Sequence, residues 1–173
     1  MAIRDIDLKT LSLRDALDLA TLIEEEARDR YEELADQMHV HHTPNAERFF
    51  RKMIGVEQQH RDDLARRRAA LFGDQPMHVT RAMIFDVEAP EYDEVRQGMT
   101  VRQAFESAMH SEVKAYNFFV QALPQVTDVD VRELFEDLRD EEVEHQRWVQ
   151  TEIDRLPPAT GPEGDVSDEP VAH

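Results

Sequence analysis

The sequence has no cysteine, which excludes disulfides, thiolate zinc sites and cysteine-ligated iron–sulfur clusters. It has only 5 glycines in 173 residues and few runs of the β-branched residues that favour strands. Alanine, leucine, glutamate, arginine and glutamine, which favour helices, are abundant instead. The composition therefore indicates a helical protein, and the length suits one domain.

Basic residues are also scarce. The 20 Lys and Arg residues face 38 Asp and Glu residues, so the formal net charge is −18. This charge disfavours binding to nucleic acid or to an anionic membrane and favours the attraction of cations. No stretch approaches the apolar length of a membrane span, and the N-terminal residues lack the apolar core of a signal peptide. We therefore expect a cytoplasmic protein with no nucleic-acid or membrane partner.

Four segments carry apolar residues at helical spacing, bounded by residues that start or stop helices. The predicted helices run from Ser12 to about Met38, from about Asn45 to Phe72, from Thr100 to about Leu123, and from Asp128 to the region of Ile153. Residues 74–98 contain two prolines and no clean period, and we interpret them as a crossover with room for a short helix or turn. The sequence thus predicts an all-α, antiparallel four-helix bundle over residues 1–156. The acidic, Pro- and Gly-rich residues 157–173 are predicted to be disordered.

The two halves of the chain resemble each other. Residues 12–27 align with residues 100–115, and residues 50–60 align with residues 135–145. The matched polar pairs are Glu24 with Glu112, Glu57 with Glu142, and His60 with His145. Two helical hairpins joined by a long crossover form a four-helix bundle.

These polar residues interrupt faces that should be buried. Residues three apart share a helix face, so Glu57 and His60 point the same way, and so do their repeat equivalents. Glu24 and Glu112 continue the apolar stripes of the first and third helices. In each hairpin the two glutamates are equally far from the turn, so all four face one level of the core.

Four carboxylates at one level of a core cannot remain unpaired, because an isolated buried charge is costly and like charges repel. Two divalent metal ions would neutralise them. Carboxylate and imidazole ligands favour iron or manganese, with zinc as a redox-silent alternative. One Glu-x-x-His alone is most often a solvated surface pair, but two repeat-equivalent copies favour a site. The predicted metal ligands, which are also the predicted catalytic residues through the metals, are Glu24, Glu57, His60, Glu112, Glu142 and His145.

With these residues the sequence resembles the ferritin-like di-iron carboxylate superfamily, most closely its rubrerythrin-like and bacterioferritin-like branches. The resemblance covers about residues 12–155 and implies a ferritin-like four-helix bundle. It also implies that Glu24 and Glu112 are terminal ligands, that Glu57 and Glu142 bridge two irons, and that each iron has one histidine. The implied activity is oxidation of ferrous iron with activation of oxygen or hydrogen peroxide.

The chain departs from these relatives at three points. It lacks the paired-cysteine rubredoxin domain of rubrerythrins, so we expect an external electron donor. Met109 stands where rubrerythrins carry an additional glutamate, which weakens the transfer of their peroxidase activity. Gln58 stands where bacterioferritins carry a haem-ligating methionine, so we expect no haem.

Further side chains near these positions have more than one explanation. Tyr31 and Tyr116 can hydrogen-bond to ligands or be redox-active, although core aromatic residues with a polar tip are commoner. Glu141 can orient an imidazole of a neighbouring helix. Trp148 is better explained by packing than by catalysis. The histidines of the first hairpin turn can bind a transition ion, although an exposed polar loop explains them better: His39, His41 and His42.

Two alternatives to a di-iron oxidoreductase are an iron storage or sequestration protein and a structural bundle holding zinc or manganese. We also expect at least a homodimer. Leu19, Leu22 and Ile23 extend the apolar surface of the first helix beyond its buried stripe, and Phe118 does so on the third helix. Leu19 and Ile23 are predicted to lie near the contact between copies.

Overall fold

The computed structural model describes residues 6–88 and 98–158. All regular structure in these ranges is helical. The helices are α1 (Leu13–Val40), α2 (Pro44–Phe72), α3 (Arg81–Glu88), α4 (Val101–Ala122) and α5 (Val129–Arg155), with a short 3₁₀ turn at Leu123–Gln125. Helix α1 packs along α2, and α4 packs along α5. The predicted all-α four-helix bundle is confirmed; from residue 159 onward, the predicted disordered tail lies outside the described residues. None of the described helices is long and apolar enough to cross a membrane.

The helix ends follow the local sequence. Ser12 caps α1 by accepting a hydrogen bond from the Asp15 N–H, and Asp128 caps α5 in the same manner. Thr100 and Gln103 form a reciprocal capping box at α4. Gly73 ends α2 with a φ of 57°, a left-handed conformation that glycine adopts without steric cost. The predicted boundaries lie within two residues of those observed.

Two apolar layers fill the bundle, and the polar level lies between them. One layer joins the start of α1 to the end of α4 and the start of α5, and includes Leu17, Phe119 and Phe135. The other joins the end of α1 to the start of α2 and α4, and includes Phe50 and Phe105. In every long helix the predicted ligand falls between the residues of these layers, so the site is walled above and below by hydrocarbon.

The apolar side of α1 that was predicted to contact another copy is covered by residues of the crossover. Leu19 and Ile23 are 0% and 1% exposed and share one apolar cluster with Val79 and Ile84 of the crossover. Phe118 is also buried, against Phe119 and Phe135 of that same layer. The premise that Leu19 and Ile23 form an exposed apolar surface is wrong, because α3 packs against α1 on this side of the helix. The homodimer stays a prediction without these residues to support it.

Candidate metal centre

The four long helices bring all six predicted ligands to one level of the bundle. Each helix contributes one carboxylate, and all four are buried: Glu24, Glu57, Glu112 and Glu142. His145 is buried beside them, whereas the His60 side chain is 23% exposed. The polar residues at equivalent positions of the sequence repeat therefore lie in one cluster. The half of the cluster around His145 is buried, whereas the half around His60 is partly exposed.

One half of the cluster surrounds His145. Its Nδ1 atom lies 3.2 Å from Glu112 Oε2, 3.3 Å from Glu57 Oε1 and 3.9 Å from Glu142 Oε2. Glu112, Glu142 and His145 together present ligand atoms within 4.8 Å of one another. This spacing can hold one metal ion.

The other half surrounds His60. Its Nδ1 atom lies 3.6 Å from Glu24 Oε2, 3.7 Å from Glu141 Oε2 and 3.8 Å from Glu57 Oε2. The imidazole rings of His60 and His145 are almost parallel, with centroids 5.4 Å apart. Glu57 therefore has one carboxylate oxygen near each histidine, which is the position that a bridging carboxylate requires.

The carboxylates perturb one another. Burial, together with repulsion from Glu112, raises the pKa of Glu142 well above its ordinary value. Burial alone would raise the pKa of Glu112 too, but its hydrogen bond with His145 and the charge of that imidazole lower it. The pKa of His60 is raised, mainly by Glu24. In the metal-free chain, protons thus take the place of some of the positive charge that the cluster needs.

The donor set fits a hard or borderline metal ion. Oxygen and imidazole nitrogen ligands without thiolates suit iron, manganese or zinc. The buried Nδ1 atom of His60 makes no hydrogen bond to a described residue, since its neighbouring oxygens lie at 3.6 Å or more. A metal ion between this nitrogen and the three carboxylates that face it would satisfy both.

Tyr31 and Glu141 both contact predicted metal ligands. The buried Tyr31 hydroxyl donates a hydrogen bond to Glu112 Oε1 at 2.5 Å, whereas the commoner explanation was core packing alone. Burial and the charges of Glu112 and Glu57 raise the pKa of Tyr31, so the hydroxyl stays a donor. Glu141 faces His60 across the helix pair, as an orienting carboxylate would, and it also belongs to a group able to hold metal.

We predict that Tyr31→Phe weakens metal binding without abolishing it. Loss of the hydrogen bond frees Glu112 to turn, and removal of such supporting groups typically costs about 10- to 100-fold in metal affinity. Competition titration with a chelator measures this change. Tyr116→Phe is the matched control, since no hydrogen bond joins that hydroxyl to a predicted ligand among the described residues; equal affinity losses in both variants would refute the role of Tyr31.

The candidate histidines of the first hairpin turn lie away from the cluster, whereas Trp148 packs against it. His39, His41 and His42 are exposed, and His39 pairs with Glu47 at 3.2 Å. None of these three histidines belongs to a metal-holding group among the described residues. Trp148 packs its ring against the His145 ring, with centroids 5.5 Å apart.

The His60 half of the cluster is reached from the surface. A pocket of about 190 Å³ is lined by side chains of α2 and α5, among them His60, Asp63, Asp137 and Glu141. Its three carboxylates outnumber its one arginine, Arg67, and this excess of negative charge attracts cations. The His145 half has no comparable exposure, because that histidine is 3% exposed.

The fold and the cluster define a four-helix bundle with carboxylate and histidine groups that can bind metal. The sequence model of the rubrerythrin family matches residues 15–153. The chain belongs to the rubrerythrin family. A crystal structure at 2.00 Å of an uncharacterized conserved protein from Magnetospirillum magnetotacticum MS-1 is similar, with a TM-score of 0.71 and 27% sequence identity. The similarity covers 87% of this chain and 99% of that one. Among curated proteins, none matches the chain significantly.

Proposed function

We propose that the cluster holds two iron ions and that the protein oxidises ferrous iron while reducing hydrogen peroxide or oxygen. The proposed ligands are Glu24, Glu57, His60, Glu112, Glu142 and His145. The observation that carries this proposal is the convergence of four buried carboxylates and two histidines between two apolar layers. Two divalent ions match the charge of four carboxylates, and membership of the rubrerythrin family favours iron.

Each group of side chains contributes a distinct part of this function. Iron held here would supply one-electron redox chemistry at two neighbouring centres. Glu57 spans the two halves, while the Tyr31 hydroxyl fixes the orientation of Glu112. The acidic pocket beside His60 admits ferrous iron and a small oxidant. The apolar layers exclude bulk water, which strengthens the electrostatic interactions of the ligands.

The test is consumption of hydrogen peroxide by the purified protein supplied with ferrous iron. We expect peroxide-dependent oxidation of ferrous iron that exceeds the protein-free rate and is lost in Glu57→Ala/Glu142→Ala. Glu33→Ala/Glu136→Ala, which removes two exposed glutamates from α1 and α5, should retain the wild-type rate. Equal rates in the two double variants would contradict the proposal.

Iron content distinguishes turnover from storage. A catalytic centre retains about two irons per chain after repeated additions of ferrous iron and oxidant. Accumulation of many more irons per chain in a large particle would favour storage instead. Zinc or manganese bound without peroxide consumption would favour the structural alternative.

A further inference from the structure

A larger pocket lies at the end of the bundle where α2 and α4 begin and α5 ends. Its volume is about 660 Å³, within the range of small-molecule sites. Three aromatic residues line it, namely Phe49, Phe105 and Trp148. The Phe49 and Phe105 rings meet edge to face, with centroids 5.3 Å apart. Phe105 is only 2% exposed and supports the Phe49 ring, whereas the partly exposed rings of Phe49 and Trp148 suit a planar aromatic ligand.

The pocket carries positive charge although the chain has a formal net charge of −18. Arg48, Lys52 and Arg155 line it, and the only acidic side chain among its lining residues, Glu152, pairs with Arg155 at 2.5 Å. Arg48 makes no ion pair with a described residue. Lys52 places its Nζ atom 4.7 Å from the centroid of the Trp148 ring. Arg48 and Lys52 thus leave two positive charges available to an anionic group.

Trp148 connects this pocket to the metal cluster. Its indole is one wall of the pocket, and the same ring packs on His145 with centroids 5.5 Å apart and planes inclined by 35°. A ligand in the pocket is therefore separated from a predicted metal ligand by a single aromatic side chain.

We propose that this pocket binds a planar aromatic anion of the flavin mononucleotide type. The ring system packs against Phe49 and Trp148, which are both partly exposed, and the phosphate pairs with Arg48 and Lys52. A consequence, which rests on the proposed function, is that the reduced ligand is the external electron donor. The dihydroflavin releases two electrons and two protons as it becomes oxidised flavin, and two ferric ions each accept one electron to become ferrous.

Binding is tested first on the metal-free protein of 173 residues, so this step does not depend on the proposed function. Trp148 is the single tryptophan of the chain, and its fluorescence reports directly on the pocket. Titration with flavin mononucleotide, checked by calorimetry, should show saturable binding of one ligand per chain. Riboflavin, which lacks the phosphate, should bind roughly ten-fold more weakly, since it forms no charge-assisted hydrogen bonds.

Two charge variants locate the ligand. Arg48→Gln/Lys52→Gln should weaken binding of flavin mononucleotide at least roughly ten-fold. Arg66→Gln/Arg139→Gln removes two charges from α2 and α5 at positions that line neither pocket and should leave binding unchanged. Absent saturation, equal affinity for riboflavin, or equal effects of the two variants would overturn the proposal. Self-association that is lost in Arg48→Gln/Lys52→Gln would overturn it as well, because a second copy would then be the occupant.

Electron delivery is measured separately. Iron-loaded, oxidised protein is mixed anaerobically with photoreduced flavin mononucleotide, and the loss of ferric absorbance is followed. The rate should fall at least roughly ten-fold in Arg48→Gln/Lys52→Gln at ligand concentrations below saturation. An unchanged rate would overturn the donor role. Binding without peroxide turnover would refute the proposed function and leave the pocket standing, whereas turnover without binding would refute the pocket alone.

Discussion

The double variant Glu57→Ala/Glu142→Ala should lose the stoichiometric binding of about two metal ions per chain. Glu57 has an oxygen facing each histidine, and Glu142 lies against Glu112 and His145. Removing both leaves each half with too few ligands to compete with water. Elemental analysis after dialysis measures the loss, and it should be complete rather than partial.

The same variant has a clear control. Glu33→Ala/Glu136→Ala removes the same number of charges from exposed positions and should bind metal as the wild type does. Circular dichroism should show both variants folded, because the control removes only exposed side chains and the loss of Glu57 and Glu142 relieves repulsion between buried carboxylates in the metal-free state. Full stoichiometric binding by folded Glu57→Ala/Glu142→Ala would show that the metals lie elsewhere.

Removal of the metals should lower the melting temperature by roughly 10–20 °C at pH 7. Two sites held at about 100 times their dissociation constants stabilise the folded state by about 5 kcal/mol in total. For a chain of this size, each kcal/mol corresponds to roughly 2–4 °C. Scanning calorimetry before and after chelation measures the change. Equal melting temperatures would contradict the account.

The metal-free protein should become more stable as the pH falls from 7 to about 5. The pKa values of Glu142 and His60 are raised in the folded state. Protonation of these groups therefore stabilises the folded state, fully below their ordinary pKa values of 4.5 and 6.5, and this stabilisation is lost as the pH rises through their raised values. The pKa of Glu112 is lowered, so its ionised form stabilises the folded state, and this stabilisation is lost only when the pH falls below the ordinary value of 4.5. Denaturant unfolding of the chelated protein across this range should show the gain.

Glu142→Gln provides the check on that pH effect. Glutamine keeps the shape of the side chain but removes the charge that is costly beside Glu112. The metal-free variant should be more stable than the metal-free wild type at pH 7, and its gain on acidification should be smaller. An unchanged pH dependence would mean that Glu142 does not produce the effect.

Local chemistry explains why the sequence predicted the helices and the polar cluster so closely. Capping residues such as Ser12 and Thr100 act on their own helix, so their effect is visible without knowledge of the fold. The i, i+3 spacing of Glu57 and His60 fixes a shared face for the same reason. The sequence repeat predicted which residues of different helices lie together, because residues at equivalent positions of the two halves lie at one level of the bundle.

The remaining features depend on contacts that no local pattern encodes. Leu19 and Ile23 look exposed on a helical wheel, and only the packing of α3 on α1 shows that they are covered. The Tyr31 hydroxyl bonds a carboxylate 81 residues away, which requires the packing of α1 on α4. Glu141 differs from other surface glutamates only in standing beside Glu142, and its approach to His60 follows from how α5 is rotated.

A crystal structure of the metal-loaded protein with anomalous data at the iron, manganese and zinc absorption edges tests the central claim most directly. The account predicts two anomalous peaks about 3.5–4 Å apart in the layer between the apolar clusters. One should lie against His60 and Glu24, the other against His145 and Glu112, with Glu57 contacting both, and both should respond at the iron edge. A single peak, or peaks away from these residues, would contradict it.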